Sequence, residues 1–341
     1  MVRRWLVTGC SSGLGRALAE AAARAGDRVA VTARDVAALD RLRDAWPGQI
    51  VPISLELRDT AQCEGAVRTA ADRLGGIDVL VNNAGAGLFG AVEEVSDTEV
   101  RDQLETLVVA PWRLVRLVLP LMRAQGHGHI VNVSSLAGRM AFPGLGAYAA
   151  GKYALEGMTQ ALAAEVGPAG IRVTVVEPGC FATRYGTTVS ESRSRLSAYA
   201  DATTATLHGL RGMADDPGTG RPEDYAERVL DIVSRDEPGP LRVPIGDDAY
   251  AYLEAAEQES RRELAAARTR PANAGPALAG SGGAAGGPAR RLTRRAACRG
   301  PWLPPGPSSG GRDGEPRAGR NVATQPSARR RCDQSVADES G

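Results

Sequence analysis

Several things are scarce in this chain, and each shortage narrows its chemistry. Only one of its 41 basic residues is a lysine, Lys152, and a formal charge of +1 leaves no basic excess for neutralising a nucleic-acid backbone. Its five cysteines are odd in number and lack CxxC spacing, which fits reduced thiols better than a disulfide framework or a zinc site. No apolar run approaches the roughly 20 residues needed to span a bilayer. The first strand-like run begins at Arg3, leaving no room for a secretory signal. The expected location is therefore the cytoplasm, with neither membrane nor nucleic acid as partner. His127 and His129 flank Gly128 without an acidic or cysteine companion and read as turn residues, so no metal is expected.

Short β-rich runs alternate with helical patterns. Candidate strands are Trp5–Thr8, Val29–Thr32, Ile50–Leu55, Val79–Val81, Ile130–Ser134, Val173–Val176 and Leu241–Val243. Such alternation implies right-handed βαβ crossovers. The expected fold is a single α/β domain of the Rossmann type, a doubly wound parallel sheet with helices on both faces, over residues 1–267. Helical patterns run from about Asp97 to Ala124, with Pro111 expected to bend the helix or mark its functional face, and from about Ala147 to Val166. Residues 183–220 are less regular and suggest a mobile lid. From 268 to 341 Gly, Ala, Pro, Ser and Arg dominate without apolar periodicity, so that stretch is expected to be a disordered tail.

Three groups of residues carry chemistry. After the first strand comes Thr8-Gly9-Cys10-Ser11-Ser12-Gly13-Leu14-Gly15, opening a helix. Missing side chains let a backbone approach a pyrophosphate, and a helix N-terminus adds amide donors and a favourable dipole. Tyr148 and Lys152 are four residues apart, hence on one face of a helix. A free phenol ionises near pH 10, so a neighbouring ammonium helps bring it into a working range, where it can give a proton to a carbonyl oxygen or take one from an alcohol. In a chain that otherwise uses arginine, a retained lysine at this place suits a compact point charge better than a planar fork.

Taken in order, these motifs resemble the short-chain dehydrogenase/reductase family. The glycine cluster matches its TGxxxGxG, Asn82-Asn83-Ala84-Gly85 its NNAG, Ser135, Tyr148 and Lys152 its catalytic Ser, Tyr and Lys, and Pro178-Gly179 with Thr183 its PGxxxT. The likeness covers residues 2 to about 267. It implies an NADP(H)-dependent oxidoreductase interconverting a ketone or aldehyde and an alcohol by hydride transfer. Tyr148 would be the general acid/base, Lys152 would lower its pKa and hold the nicotinamide ribose, and Ser135 would orient the substrate oxygen. The cofactor-binding set it implies is Gly9, Ser11, Ser12, Gly13, Leu14, Gly15, Arg34, Glu56, Leu57, Asn83, Ala84, Gly85, Tyr148, Lys152, Pro178, Gly179, Phe181 and Thr183.

NADP(H) is preferred because Ala33 stands where NAD-preferring members carry an acid and Arg34 suits a 2′-phosphate; Asp35 could instead take the ribose, which keeps NAD(H) as the alternative. Glu56 replaces the usual adenine-binding Asp, and Leu107 the family's fourth catalytic residue, an Asn. Leu88, Phe89, Met140, Phe142 and Phe181 line a pocket or belong to the core. The substrate would be a partly apolar, medium-sized carbonyl or alcohol. Relatives pair through the long helix and the Tyr-Lys helix, which implies a homodimer or homotetramer. The competing reading is a non-catalytic dinucleotide-binding sensor or scaffold, with Leu107 as its support.

Overall fold

β1 (Arg4–Val7) leads into α1 (Gly13–Arg24), β2 (Arg28–Ala33) into α2 (Asp40–Ala45), and β3 (Ile50–Ser54) into α3 (Thr60–Leu74). After β4 (Val79–Asn82) come a two-residue strand, β5 (Leu88–Phe89), and the helices α4 (Asp97–Leu104) and α5 (Ala110–Gln125). Then follow β6 (Gly128–Val133), α6 (Gly146–Val166) and β7 (Ile171–Pro178). The next connection holds α7 (Tyr185–Thr188), β8 (Ser190–Glu191) and α8 (Ala200–Gly212), and α9 (Pro222–Ser234), β9 (Arg242–Ile245) and α10 (Asp247–Thr269) end the order. This computed structural model describes residues 2–269, all within one compact unit. The expected tail, apart from 268 and 269, lies outside the described residues.

Seven strands form one parallel sheet in the order β3-β2-β1-β4-β6-β7-β9. Every strand expected from sequence is there, with ends moved by two residues or fewer. Because helices cover both faces, strand residues of either parity are apolar. In β1, Trp5 and Val7 join a core with Leu18 and Ala22 of α1 and Tyr225 and Val229 of α9. Leu6 points the other way, into a core with Val67 of α3, Leu114 of α5 and Leu162 of α6. Among the described residues no helix is long and apolar enough to cross a membrane.

Three local expectations change. His129 is not in a turn but in β6, opposite Val79, buried and bonded through Nε2 to Thr174 Oγ1 at 2.9 Å. Just before Pro111 the long helix carries a π-helical turn at Glu105–Val109, where Ala110 N donates to Glu105 O. An α-helix would need a Pro111 N–H for Leu107 O, and proline has none, so the wider turn absorbs the mismatch. Finally, the segment after β7 is tied down: β8 pairs with β5, and the buried carboxylate of Glu94 accepts from Leu196 N at 2.7 Å.

The strand order reverses direction between β1 and β4. Open parallel sheets bind ligands in the crevice at such a point, outside the carboxyl ends of the strands. The loops after β1, β2, β3, β4, β6 and β7 all emerge there, and they carry the residues singled out in the sequence.

Candidate active site

The glycine loop is fitted to the loop after β4. Gly9 has φ +75°, and a Cβ on it would lie 2.8 Å from Ala84 Cα. A Cβ on Gly15 would meet Asn83 Nδ2 and Gly9 O, so no other residue keeps this approach. Thr8 Oγ1 accepts from the amides of Asn83 and Ala84, each at 3.0 Å, while Asn83 Nδ2 donates to Thr8 O at 2.8 Å. Asn83 therefore braces the glycine loop, and Thr8 is an equal partner in that brace.

At the start of α1, Ser12 makes no side-chain cap, leaving the first-turn amides of a twelve-residue helix open toward the crevice. Thr183 stands over Gly13, with Cβ contacts of 3.4 Å for any side chain there. A cavity of about 500 Å³ opens beside them, lined by Ser12, Gly13, Arg16, Thr183 and Arg184. Backbone that close and uncapped amides fit a pyrophosphate, although Glu20, Asp215 and Glu223 line the same cavity as its arginines.

At the end of β2, Arg34 is exposed, while Asp35 is occupied: its carboxylate accepts from Ala37 N at 3.0 Å and caps a short 3-10 turn. Glu56, after β3, accepts from Arg58 N at 3.2 Å, and its own amide donates to Gln62 Oε1 at 2.8 Å. Leu57 is buried, and its carbonyl accepts from Arg113 Nη1 at 3.1 Å.

Tyr148 and Lys152 share the buried face of α6. The Lys152 Nζ donates to Val133 O at 2.7 Å and lies 5.6 Å from the Tyr148 ring centroid. A Cβ on Gly85 would come within 3.7 Å of the same nitrogen. Ser135 follows β6 and starts a 3-10 turn, its Oγ accepting from Ala137 N at 3.2 Å. The fold thus gathers Ser135, Tyr148, Lys152 and Gly85 at one end of the crevice and the glycine loop at the other.

Pro178, Gly179 and Cys180 are clamped by the first turn of α10, where Asp248 Oδ2 accepts from Cys180 N at 2.7 Å. Asp248 also fills the space a Cβ on Gly179 would need. Burial, then Asp248, push the Cys180 thiol up to about 11, and burial pushes Cys10 up to about 12, which disfavours the thiolate of both.

Of the residues expected to line a pocket or belong to the core, Phe181 and Phe89 belong to the core. Phe181, also expected to hold cofactor, turns its ring into the core, edge-on to Tyr225 with centroids 5.8 Å apart. An apolar ring gains more from that burial than from a solvent-filled crevice, so only its main chain is left for a ligand. Phe89 is likewise fully buried, packed with Leu107, Leu145 and Tyr148. Leu88 is buried in β5 beside it, while Met140 and Phe142 pack on Leu136, Ala249 and Leu253.

Several supporting residues were given no role by the sequence, Asn82 among them although it opens a motif. Asn82 Nδ2 donates to Asn132 Oδ1, and Asn132 Nδ2 to Thr159 Oγ1, both at 2.8 Å, linking β4, β6 and α6 beneath Lys152. Behind Ser135 lie two buried acids: Glu156 accepts from Arg242 at 2.8 Å and Glu177 from Arg139 at 3.2 Å. Burial and then the Glu156 charge raise the pKa of Glu177. Their only sequence signal was Glu156 lying four residues beyond Lys152.

The family described as short chain dehydrogenase matches residues 3–194. An oxidoreductase of Botryotinia fuckeliana, BOA17, is 35% identical over 274 residues, which is 78% of this chain and 99% of that protein. A short-chain dehydrogenase of known structure from Streptomyces avermitilis is 40% identical, with a TM-score of 0.71, over 79% of this chain and 96% of its own. A metagenomic short-chain oxidoreductase, solved with NADP, is 28% identical with a TM-score of 0.57 over 72% and 96%.

Proposed function

The chain belongs to the short-chain dehydrogenase family, and from that premise we propose that it is an oxidoreductase using a nicotinamide dinucleotide to interconvert a carbonyl and an alcohol. The observation that carries this reading is the placement of the only lysine. Lys152 is 4% exposed, anchored on Val133 O and set beside Tyr148, where a bare charge would be costly without a task. The NADP in the metagenomic relative supports a nicotinamide cofactor, and the choice of form rests on β2. With Asp35 engaged in its cap, Arg34 is the group free to take a 2′-phosphate, which favours NADP(H) over NAD(H).

The glycine loop and the α1 N-terminus would hold the pyrophosphate, Asn83, Ala84 and Gly85 the ribose side, Glu56 and Leu57 the adenine side, and the loop from Pro178 to Thr183 the nicotinamide side. The bound cofactor supplies or accepts the hydride. Tyr148 donates its phenolic proton to the carbonyl oxygen in reduction and takes one from the hydroxyl in oxidation. Lys152 stabilises the phenolate that Tyr148 becomes and holds ribose hydroxyls. Ser135 orients the reacting oxygen.

Val109, Trp112 and Tyr153 remain exposed on the helices flanking this site, which supports a homodimer or a larger homo-oligomer through that face, and the molecule is read as cytoplasmic. A panel of ketones, aldehydes and alcohols run with NADPH and NADH tests the activity. Turnover that disappears in Tyr148→Phe is expected. Cofactor binding without any turnover would instead favour the sensor reading that Leu107 left open.

A further inference from the structure

A second phenol faces the first. Tyr185, at the start of α7, lies against Tyr148 with ring centroids 5.8 Å apart and planes at 51°. Its amide donates to Thr183 Oγ1 at 3.2 Å, which ties it to the loop after β7. Its ring packs against the core cluster of Phe89, Leu107 and Leu145, to which Tyr148 also belongs. Its hydroxyl is buried, and the polar group that interacts with it is the Tyr148 phenol. Burial, then Tyr148, hold its pKa well above the ordinary phenol range, so it stays a neutral O–H donor.

The site is shaped for that hydroxyl. It stands over Gly87, two residues past Gly85, and a Cβ on Gly87 would lie 2.6 Å from it. A phenylalanine would fill the same apolar surroundings without stranding a polar atom, and stranding one is unfavourable. Apart from the Tyr148 phenol this hydroxyl has no polar neighbour, so an oxygen arriving beside Tyr148 would find a second donor there. What arrives there, on the reading of Tyr148 as the acid, is substrate.

We propose that Tyr185 is a second substrate-binding donor, whose hydroxyl bonds an oxygen one or two carbons from the carbonyl that Tyr148 protonates. The substrates of this chain are then α- or β-oxygenated ketones, such as hydroxyketones, diketones or β-keto esters, in preference to plain ones. Two phenols side by side can serve two oxygens of one small molecule. A plain ketone leaves the second donor without a partner, and a site built around a hydrogen-bond donor discriminates against analogues lacking the acceptor.

The test is steady-state kinetics of the full-length chain with three matched substrates: a plain cyclic ketone, its α-hydroxy analogue and its β-keto ester analogue. The wild type should favour at least one oxygenated substrate in kcat/KM. In Tyr185→Phe the ratio of oxygenated to plain kcat/KM should fall roughly tenfold or more, mainly through KM, with the cofactor KM unmoved. The analogue that loses most identifies the α or the β spacing. Gly87→Ala, which presses a methyl group on the hydroxyl, should lower the same ratio and guards against misfolding of the first variant. An unchanged ratio in both variants, or a loss that follows the cofactor KM, overturns the proposal while the enzyme reading stands. If the wild type reduces no ketone with either cofactor, the reading of Tyr148 falls first and this proposal with it.

Discussion

Leu107 occupies the space that a side chain on Gly151 would need. A Cβ on Gly151 would lie 2.8 Å from Leu107 Cδ1 and 3.1 Å from its Cβ. Leu107 is 1% exposed and also touches the position where Gly85 lacks a side chain. The residue that stands in place of the family's Asn is thus a packing element between the π-helical turn and the Tyr148–Lys152 helix. The fit constrains both partners.

Gly151→Ala is expected to lower Tm, although alanine ordinarily gains up to about 1 kcal/mol over glycine inside a helix. In a Leu107→Ala background the same change should be neutral or stabilising, because the clash is gone. Thermal melts of the two single variants and the double variant form a cycle; additive effects would show that the contact does not govern the site.

Leu107→Asn should cost roughly 1–3 kcal/mol of stability by burying an amide among apolar groups. If proton transfer limits turnover, it should also raise kcat and reduce the solvent isotope effect, with cofactor KM unchanged. A fall in kcat with an unaltered isotope effect would mean that the leucine matters only for packing.

Lys152→Arg keeps the charge but loses the compact donor that reaches Val133 O. We expect kcat/KM to drop by about a hundredfold or more while the protein stays folded. Circular dichroism controls for folding, and near-normal turnover would remove the central role of this lysine.

Arg34→Asp replaces a partner for a 2′-phosphate with a carboxylate that repels it. The ratio of kcat/KM for NADPH over NADH should fall roughly tenfold or more. Should that ratio stay put, the reader of the ribose lies elsewhere on the loop after β2.

His129 makes stability acid-sensitive. Burial first, then the charges of Arg172 and Arg3, lower its pKa from 6.5 to about 3. The unfolded chain takes up a proton that the folded chain refuses, so this stability is present above the unfolded value and is lost as pH falls below it. Between pH 7 and pH 5 the loss is roughly 2 kcal/mol. Urea titrations at the two pH values should show it, and His129→Gln should flatten the difference.

Much of the fold was legible because a sheet covered on both faces demands apolar residues at every strand position, as in Trp5, Leu6 and Val7. The glycine loop and the Tyr148–Lys152 spacing were legible because each depends on neighbours a few residues away. Tyr185 was not, since it meets Tyr148 across 37 positions of chain through a short irregular helix with no periodicity. The pairing of Glu156 with Arg242 and of Glu177 with Arg139 was hidden for the same reason. Phe181 misled because a residue inside a motif can turn its main chain to a ligand and its side chain to the core. His129 misled because the strand starts two residues earlier than its apolar run.

The clamp of Asp248 on Cys180 has a consequence for how the protein is made. The brace between the glycine loop and the loop after β4 is made by Thr8 and Asn83, so an emerging chain can form it early. The loop from Pro178 to Thr183 is held by Gly220, Ile245 and Asp248, so its last tether forms only once the chain has been synthesised past residue 248. Until then a partly made chain holds a glycine loop without a finished cover for the other end of the crevice. A chain that stalls before α10 lacks the Asp248 tether and is therefore expected to hold a dinucleotide less tightly than a finished one.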